Sequence, residues 1–230
     1  LSQNYPIDRN NPCFACQVTS EITFNDIKPE LRFNLIPYFY SGVQGESDES
    51  SIKYGKPEFN VGISGRADLS YATSIEYTIN PDFSQVEADV SQIDVNATFA
   101  LFYPERRLFF NEGADLVSSE LRTVYTRMIN QPILSTKLIH QDDKQRFYWL
   151  AAYDTKTAYI IGGENQSYSG EGNENFSNIL RYQRNYDKGS NIGALVTNRV
   201  LKGGGSDHTI GLSGRHQFFE SYTINFELNK

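Results

Sequence analysis

Two carboxylates, Glu87 and Asp89, are the residues of this sequence whose type and spacing best suit chemistry. They lie two residues apart in the segment QVEAD, so on a β-strand both side chains project from one face. Glycoside hydrolases use such a pair as an acid and a nucleophile or base. The same pair also suits ion or sugar contact, or structural pairing with cations of the fold. Structural pairing is the favoured interpretation, so Glu87 and Asp89 are weak catalytic candidates and the sequence favours a protein that is not an enzyme.

A second charged group surrounds a turn that aromatic residues flank on both sides. Arg106 and Arg107 lie there with Glu105 and Glu112, and a guanidinium can pair with a carboxylate through two hydrogen bonds. One hypothesis is a salt-bridge network that fixes the turn; the other is recognition of a ligand, and we prefer the first. The predicted ligand or lumen contacts are Asp82, Glu87, Asp89, Glu105, Arg106, Arg107 and Glu112.

The two cysteines, Cys13 and Cys16, lie in the segment NPCFACQ. Gln17 follows where a covalent haem site would have histidine, and there is no second CxxC segment to complete a zinc site. A local disulfide or a pair of unreactive thiols is therefore the favoured interpretation. We predict no metal and no cofactor.

The hydrophobic pattern predicts β-strands throughout. Alternation with a period of two covers residues 75–79 and 93–101, and Leu31, Phe33 and Leu35 begin the series. A strand is expected around 59–63 and another at 67–71 after a break at Gly65. Further strands are expected at 121–126, 133–140, 146–154, 157–162, 178–186, 191–200, 208–215 and 219–228. Without any amphipathic helix, this order predicts an all-β, antiparallel up-and-down meander.

Two architectures share this pattern. In a soluble β-sandwich the apolar face of each strand is buried against a second sheet, whereas in a transmembrane β-barrel it faces lipid. The composition alone leaves the choice even. The aromatic side chains of Tyr148, Trp149, Tyr153 and Tyr159 suit a membrane girdle or sheet packing better than stacking on sugar rings. A net charge of -7 without a basic patch argues against nucleic acid as a partner.

Two segments carry a resemblance to a known family. NPDFSQVEAD, at residues 80–89, and FALFYPERRLFFNEGADL, at residues 99–116, resemble the hallmark of the DUF5916 family of bacterial outer-membrane proteins. Leu108 stands where that family usually has proline, and Asn111 where it usually has an apolar residue. The resemblance implies a β-barrel in the outer membrane of a Gram-negative bacterium, often preceded by a family-9-type carbohydrate-binding domain. It also implies binding or uptake of glycans or other nutrients at the cell surface.

The resemblance sets the expected organisation. Residues 1–28 are expected to form a linker or periplasmic lead-in, and residues 29–230 a β-barrel segment that is incomplete at its carboxyl end. The expected partners are outer-membrane lipid and a glycan or other small nutrient. Two alternatives remain at this point: a glycan-degrading hydrolase that uses the paired carboxylates, and a soluble carbohydrate-binding β-module.

Overall fold

One large antiparallel sheet dominates the computed structural model, which describes residues 31–43, 45–48, 51–81, 104–162, 167–187, 189–218 and 222–230. All of them belong to one compact unit, Leu31–Lys230. The strands are β1 (Phe33–Gly42), β2 (Gly45–Asp48), β3 (Ser51–Tyr54), β4 (Glu58–Asp68), β5 (Thr73–Ile79), β6 (Pro132–Gln141), β7 (Gln145–Asp154), β8 (Thr157–Gly162), β9 (Ser167–Gly172), β10 (Asn175–Asp187), β11 (Ser190–Leu201), β12 (Ser206–Phe218) and β13 (Tyr222–Asn229).

The large sheet has nine strands in the order β1-β4-β5-β6-β7-β10-β11-β12-β13. Every pairing in it is antiparallel, and each strand lies beside the sheet strand that precedes it in the chain. The pairs β2-β3 and β8-β9 form two separate hairpins. The predicted all-β, antiparallel meander is therefore confirmed. Among the described strands, β1 and β13 form the two edges of the sheet.

The connections differ between the two ends of the sheet. At one end, called the short-turn end, residues 69–72 join β4 to β5, residues 142–144 join β6 to β7, and β11 begins three residues after β10 ends. At the other end, called the long-loop end, the connections include residues 43–57, 80–131 and 155–174. Residues 202–205 are the one short connection at the long-loop end among the described strands.

The two faces of the sheet have opposite chemistry, because side chains alternate along each strand and the registers keep like with like. On the apolar face most large side chains are exposed. The registers place on it Phe33, Leu35, Phe39, Phe59, Val61, Ile63, Ile75, Tyr77, Ile79, Leu134, Leu138, Phe147, Trp149, Tyr153, Phe176, Leu180, Tyr182, Ile192, Val196, Val200, Ile210, Leu212, Phe218, Tyr222, Ile224, Phe226 and Leu228.

The opposite, polar face carries Arg66, Glu76, Lys137, Arg181 and their neighbours, and residues 104–131 lie over it. We call residues 104–131 the inner segment. It contains two four-residue helical turns, α1 (Leu108–Asn111) and α2 (Ala114–Val117), and a 3-10 turn at Thr126–Met128. No helix in the described part of the chain is long and apolar enough to cross a membrane.

The core forms where the inner segment packs on the sheet. Its buried cluster joins side chains of the inner segment to side chains of three neighbouring strands, β7, β10 and β11. Burial of such apolar groups is the main favourable term in folding. The cluster consists of Phe110, Leu116, Val117, Ile129, Tyr148, Leu150, Ala152, Ile179 and Leu195. The inner segment thus packs on the apolar side chains that β7, β10 and β11 place on the otherwise polar face.

Three local predictions were wrong. Residues 121–126 are not a strand, because Arg122 adopts a left-handed backbone conformation (φ 50°) that interrupts an extended chain. Gly65 is not a break, since β4 passes through it to Asp68, and residues 69–71 of the strand predicted at 67–71 lie in the turn to β5. A Cβ at Gly65 would come within 2.5 Å of the Tyr77 ring. The inner segment also contains two helical turns that the pattern did not predict.

Candidate functional site

A row of alternating charges crosses the polar face on three neighbouring strands. Arg66 on β4 lies opposite Glu76 on β5, which lies opposite Lys137 on β6. The Glu76 carboxylate is 3.1 Å from Nη1 of Arg66 and 2.8 Å from Nζ of Lys137. Lys137 is fully buried and Glu76 almost so. Antiparallel register therefore builds an ion-pair row that no short sequence motif encodes.

This row fastens the inner segment to the sheet. Nζ of Lys137 donates to the carbonyl oxygens of Phe109 (2.5 Å) and Glu112 (2.9 Å). Nη1 of Arg66 donates to the Glu112 carboxylate as well. All donors of the lysine ammonium are thus engaged, which a buried charge requires.

A second cluster lies within the inner segment, where Arg107 pairs with Glu105. Nε and Nη2 of Arg107 donate to the two carboxylate oxygens of Glu105, at 2.8 and 2.7 Å. The same guanidinium donates to the carbonyl oxygens of Ile129 (2.5 Å) and Thr126 (2.9 Å) and lies 4.1 Å above the Phe110 ring. This geometry is that of the preferred hypothesis, a network that fixes the turn.

The carboxylate of Glu105 shows the electrostatics of this cluster. Burial raises its pKa, but the hydrogen bonds and charge of Arg107, with a hydrogen bond from Thr126, outweigh burial and hold the pKa below its usual value. A lowered pKa means that Glu105 contributes stability above its ordinary pKa, near 4.5, and loses it as the pH falls through the lowered value.

Glu105→Gln is therefore expected to lower the free energy of unfolding at pH 7 by about 2 kcal/mol, the scale of a hydrogen bond to a charged group. The loss should shrink as the pH falls below 4.5, because the unfolded wild-type chain then takes up a proton that the folded Glu105 carboxylate resists. Denaturant unfolding at pH 7, 5 and 3 measures both effects. A difference between the two proteins that stays constant over this range would contradict the assignment.

The remaining contacts tie the far parts of the inner segment to other strands. Asp154 at the end of β7 accepts the backbone N–H groups of Asn130 (2.5 Å) and Gln131 (2.8 Å). On β13, the Glu227 carboxylate accepts the backbone N–H of Leu121 (3.3 Å) and the hydroxyl of Thr123 (3.4 Å). The inner segment therefore lies across the polar face from β4 to β13.

The predicted site residues are only partly within the described part of the chain. Glu105, Arg107 and Glu112 are brought together with the polar face as above, and Arg106 is exposed. Five of the predicted residues lie outside the described part of the chain: both thiols and three predicted contacts, which include the two weak catalytic candidates. These are Cys13, Cys16, Asp82, Glu87 and Asp89.

Sequence reasoning missed the partly exposed Arg66 and the buried residues Glu76, Lys137 and Asp154. The signal for them was weak: Glu76 stands on the polar side of a clearly alternating strand, and Lys137 stands at a similar position on the next described strand. Opposite charges at matching positions of neighbouring strands indicate a cross-strand pair, but only once the register is known. Within the described residues, no group of three or more His, Cys, Asp or Glu side chains is arranged to hold a metal ion.

Comparison with known protein families identifies a match. The family described as "Domain of unknown function (DUF5916)" matches residues 29–152, which is more than half of the chain. The match includes β1 to β6, most of β7 and the whole inner segment. No match was found among curated proteins or among solved structures.

Proposed function

The chain belongs to the DUF5916 family, and from that premise we propose that it is an outer-membrane β-barrel protein of a Gram-negative bacterium. In this proposal the apolar face of the sheet contacts the hydrocarbon of the bilayer. The polar face lines a lumen that the inner segment partly fills. The task is binding or uptake of a glycan or other small nutrient at the cell surface.

The observation that carries the proposal is the chemistry of the apolar face. The described strand registers place one charged side chain on this face up to the bulge at Asn185–Asp187, and it is that of Arg184. Ile210, Ile224 and Leu228 are each more than half exposed. A contiguous exposed apolar surface of this extent is rare on soluble proteins and is the normal outer surface of a transmembrane barrel.

The aromatic side chains support the same placement. On β10, Phe176 and Tyr186 are ten residues apart, which corresponds to about 33 Å along a strand at ~3.3 Å per residue. In a strand tilted by about 40°, this distance spans about 25 Å, the height of the apolar band of outer-membrane barrels. Phe39, Phe59 and Tyr153 lie towards the same end as Phe176, as in an aromatic girdle.

The difference in length between the connections at the two ends of the sheet indicates how the proposed barrel is oriented in the membrane. Barrels in the outer membrane have short turns on the periplasmic side and longer loops on the outside. In our proposal the short-turn end therefore faces the periplasm, and the connections 43–57 and 155–174 face the exterior.

The nutrient assignment rests on two supports of a different kind. The family resemblance links such barrels to carbohydrate-binding domains, which is an argument by association. The polar face adds charged and hydroxyl side chains suited to a hydrated solute, among them Arg181, Ser177 and Asn175.

A matched pair of substitutions on β13 tests the membrane placement. Ile224 lies on the apolar face and its neighbour Thr223 on the polar face, and both are exposed. Ile224→Arg is expected to lower the stability of the membrane-inserted protein by about 1–3 kcal/mol, because it places a charge in lipid. Thr223→Arg introduces the same side chain into the lumen and is expected to change the stability of the inserted protein little.

The measurements are cell fractionation of the wild-type chain and denaturant unfolding of the variants in lipid vesicles. The proposal expects the wild type in the outer-membrane fraction, extractable by detergent but not by urea. A wild-type chain that remains monomeric in buffer without detergent would overturn it and favour the soluble β-module. Equal effects of the two arginines in vesicles would also contradict the placement of the two faces.

A further inference from the structure

Three hydrogen-bond donors cluster on the polar face near the short-turn end. Tyr148 on β7 lies directly opposite Arg181 on β10, and Arg146 lies two residues before Tyr148 on the same face. Directly opposite residues of an antiparallel pair have Cβ atoms about 5 Å apart, so the three side chains share one patch. We call this patch the arginine–tyrosine cluster.

Each member of the cluster has a buried donor for which the described part of the chain supplies no hydrogen-bond partner. These donors are Nε of Arg146, the hydroxyl of Tyr148 and Nε of Arg181. Tyr148 is fully buried, and Arg181 is more than nine-tenths buried. Buried donors without partners are rare in native proteins, and each one calls for a bound water, ion or ligand.

The two guanidinium groups also lack an ion-pair partner among the described residues. Among the described residues, no carboxylate lies within ion-pair distance of Arg146 or Arg181. Within the described part of the chain, the Arg181 guanidinium donates one hydrogen bond, from Nη2 to Oγ of Ser213 at 2.7 Å. Two neighbouring like charges on a partly buried surface repel each other unless an anion lies between them.

The carboxylates nearest to the cluster are already engaged. Glu76 pairs with Lys137 and Arg66, and Glu105 with Arg107. Glu227 accepts bonds from the inner segment and from the side chain of Asn229. The charge of Glu227 acts on Arg181, but it does not offset the cost of burying the guanidinium. None of the three carboxylates is within ion-pair distance of Arg146 or Arg181.

We propose that the arginine–tyrosine cluster binds the oxyanion group of a small solute: a carboxylate, a sulfate or a phosphate. Guanidinium groups match these planar or tetrahedral anions through paired hydrogen bonds, and the Tyr148 hydroxyl adds a third donor. The inference rests on the proposed function, since it names the class of solute that the lumen would take: acidic rather than neutral.

The local backbone favours such a site. Gly193 on β11 lies opposite Gln183, next to the Arg181 pair, and a Cβ at Gly193 would come 3.3 Å from Nη2 of Arg181. The glycine therefore leaves the room that the guanidinium uses to reach across β11 to Ser213. Arg146 is only partly buried and lies one residue from the start of β7, so the cluster lies close to the short-turn end.

Calorimetric titration of the purified full chain in a non-ionic detergent tests the site. The probes are sodium glucuronate, sulfate and phosphate at a fixed ionic strength held with chloride, and glucose is the neutral probe. The variants are Arg146→Gln, Arg181→Gln and Tyr148→Phe. Arg184→Gln is the matched control, because Arg184 lies three residues from Arg181 on the opposite face of the same strand.

The expected result is binding of at least one oxyanion and no binding of glucose. Affinity should fall at least tenfold in Arg146→Gln and Arg181→Gln, severalfold in Tyr148→Phe, and remain unchanged in Arg184→Gln. Comparison of the affinities for glucuronate, sulfate and phosphate shows whether the site prefers a carboxylate, a sulfate or a phosphate group. The proposal is overturned if folded wild-type protein binds none of the three anions, or if both arginine variants bind them as the wild type does.

This titration does not depend on where the protein resides. A chain that binds anions but fractionates away from the membrane would refute the barrel and leave the anion site standing. A chain that inserts into vesicles without binding any of the anions would refute the anion site alone.

Discussion

Lys137→Met is expected to lower the free energy of unfolding by about 3–5 kcal/mol, the usual cost of removing one partner of a buried ion pair. The side chain is fully buried, and its ammonium group holds the Glu76 carboxylate and the carbonyl oxygens of Phe109 and Glu112. Methionine fills a similar volume but satisfies none of these acceptors. Denaturant unfolding of the purified protein in lipid or detergent measures the change.

The control for this prediction is Lys202→Met. Lys202 makes an ion pair of similar length with Glu174 (2.7 Å), but its side chain is 71% exposed. Water screens such a pair, so its loss should leave stability almost unchanged. A loss in Lys137→Met no larger than in Lys202→Met would mean that the buried row does not hold the inner segment.

A double variant separates the charge from the packing. Adding Glu76→Leu to Lys137→Met removes the uncompensated carboxylate, and replacement of both partners of a buried pair is often far less costly than replacement of one. We expect the double variant to recover part of the lost stability, while the two carbonyl oxygens of the inner segment remain without a charged donor. A double variant less stable than Lys137→Met alone would contradict this explanation.

The strands were largely predictable because their signal is local. Residues 75–79 and 222–228 alternate strictly, and the structure places β5 and β13 there. Period two reports directly on which side chains share a face, and this information needs no knowledge of the neighbouring strand. The apolar and polar faces of the sheet follow from it.

The candidate site was predictable only in part because its contacts are not local. The pairing of Glu105 with Arg107 joins residues two positions apart and was anticipated as one form of the charged turn. Lys137 meets residues 25 and 28 positions away in the chain, and Arg66 meets Glu112 across 46 positions. Such pairs depend on strand register and on the path of the inner segment, which alternation does not specify.

The helical turns were missed for a related reason. Four-residue helices such as α1 and α2 have no repeat from which a period of 3.6 could be recognised. Their conformation depends on tertiary contacts: Lys137 holds the carbonyl oxygens around α1, and Gly113, with a φ of 75°, permits the step from α1 to α2.

Phe110→Ala is expected to destabilise the protein by about 3–5 kcal/mol, the usual cost of removing a large side chain from a closed core. Phe110 is fully buried in the cluster between the inner segment and the sheet, and its ring contacts Phe109 edge-on at 5.1 Å. The ring also lies beneath the Arg107 guanidinium, so its loss removes a cation–π contact from the Glu105–Arg107 pair.

Leu108→Ala provides the matched control, because Leu108 lies in the same helical turn but is 86% exposed. Both substitutions remove a large apolar side chain, and alanine favours a helix at either position, so they differ mainly in burial. Denaturant unfolding should show the loss for Phe110→Ala and a change of at most about 0.5 kcal/mol for Leu108→Ala. Similar losses in both would mean that the inner segment is held by its backbone and charges alone. A large decrease in the free energy of unfolding for Phe110→Ala alone would instead show that the inner segment and the sheet unfold together. Removal of the Phe110 ring can destabilise the sheet only if the inner segment is packed against it in the native state.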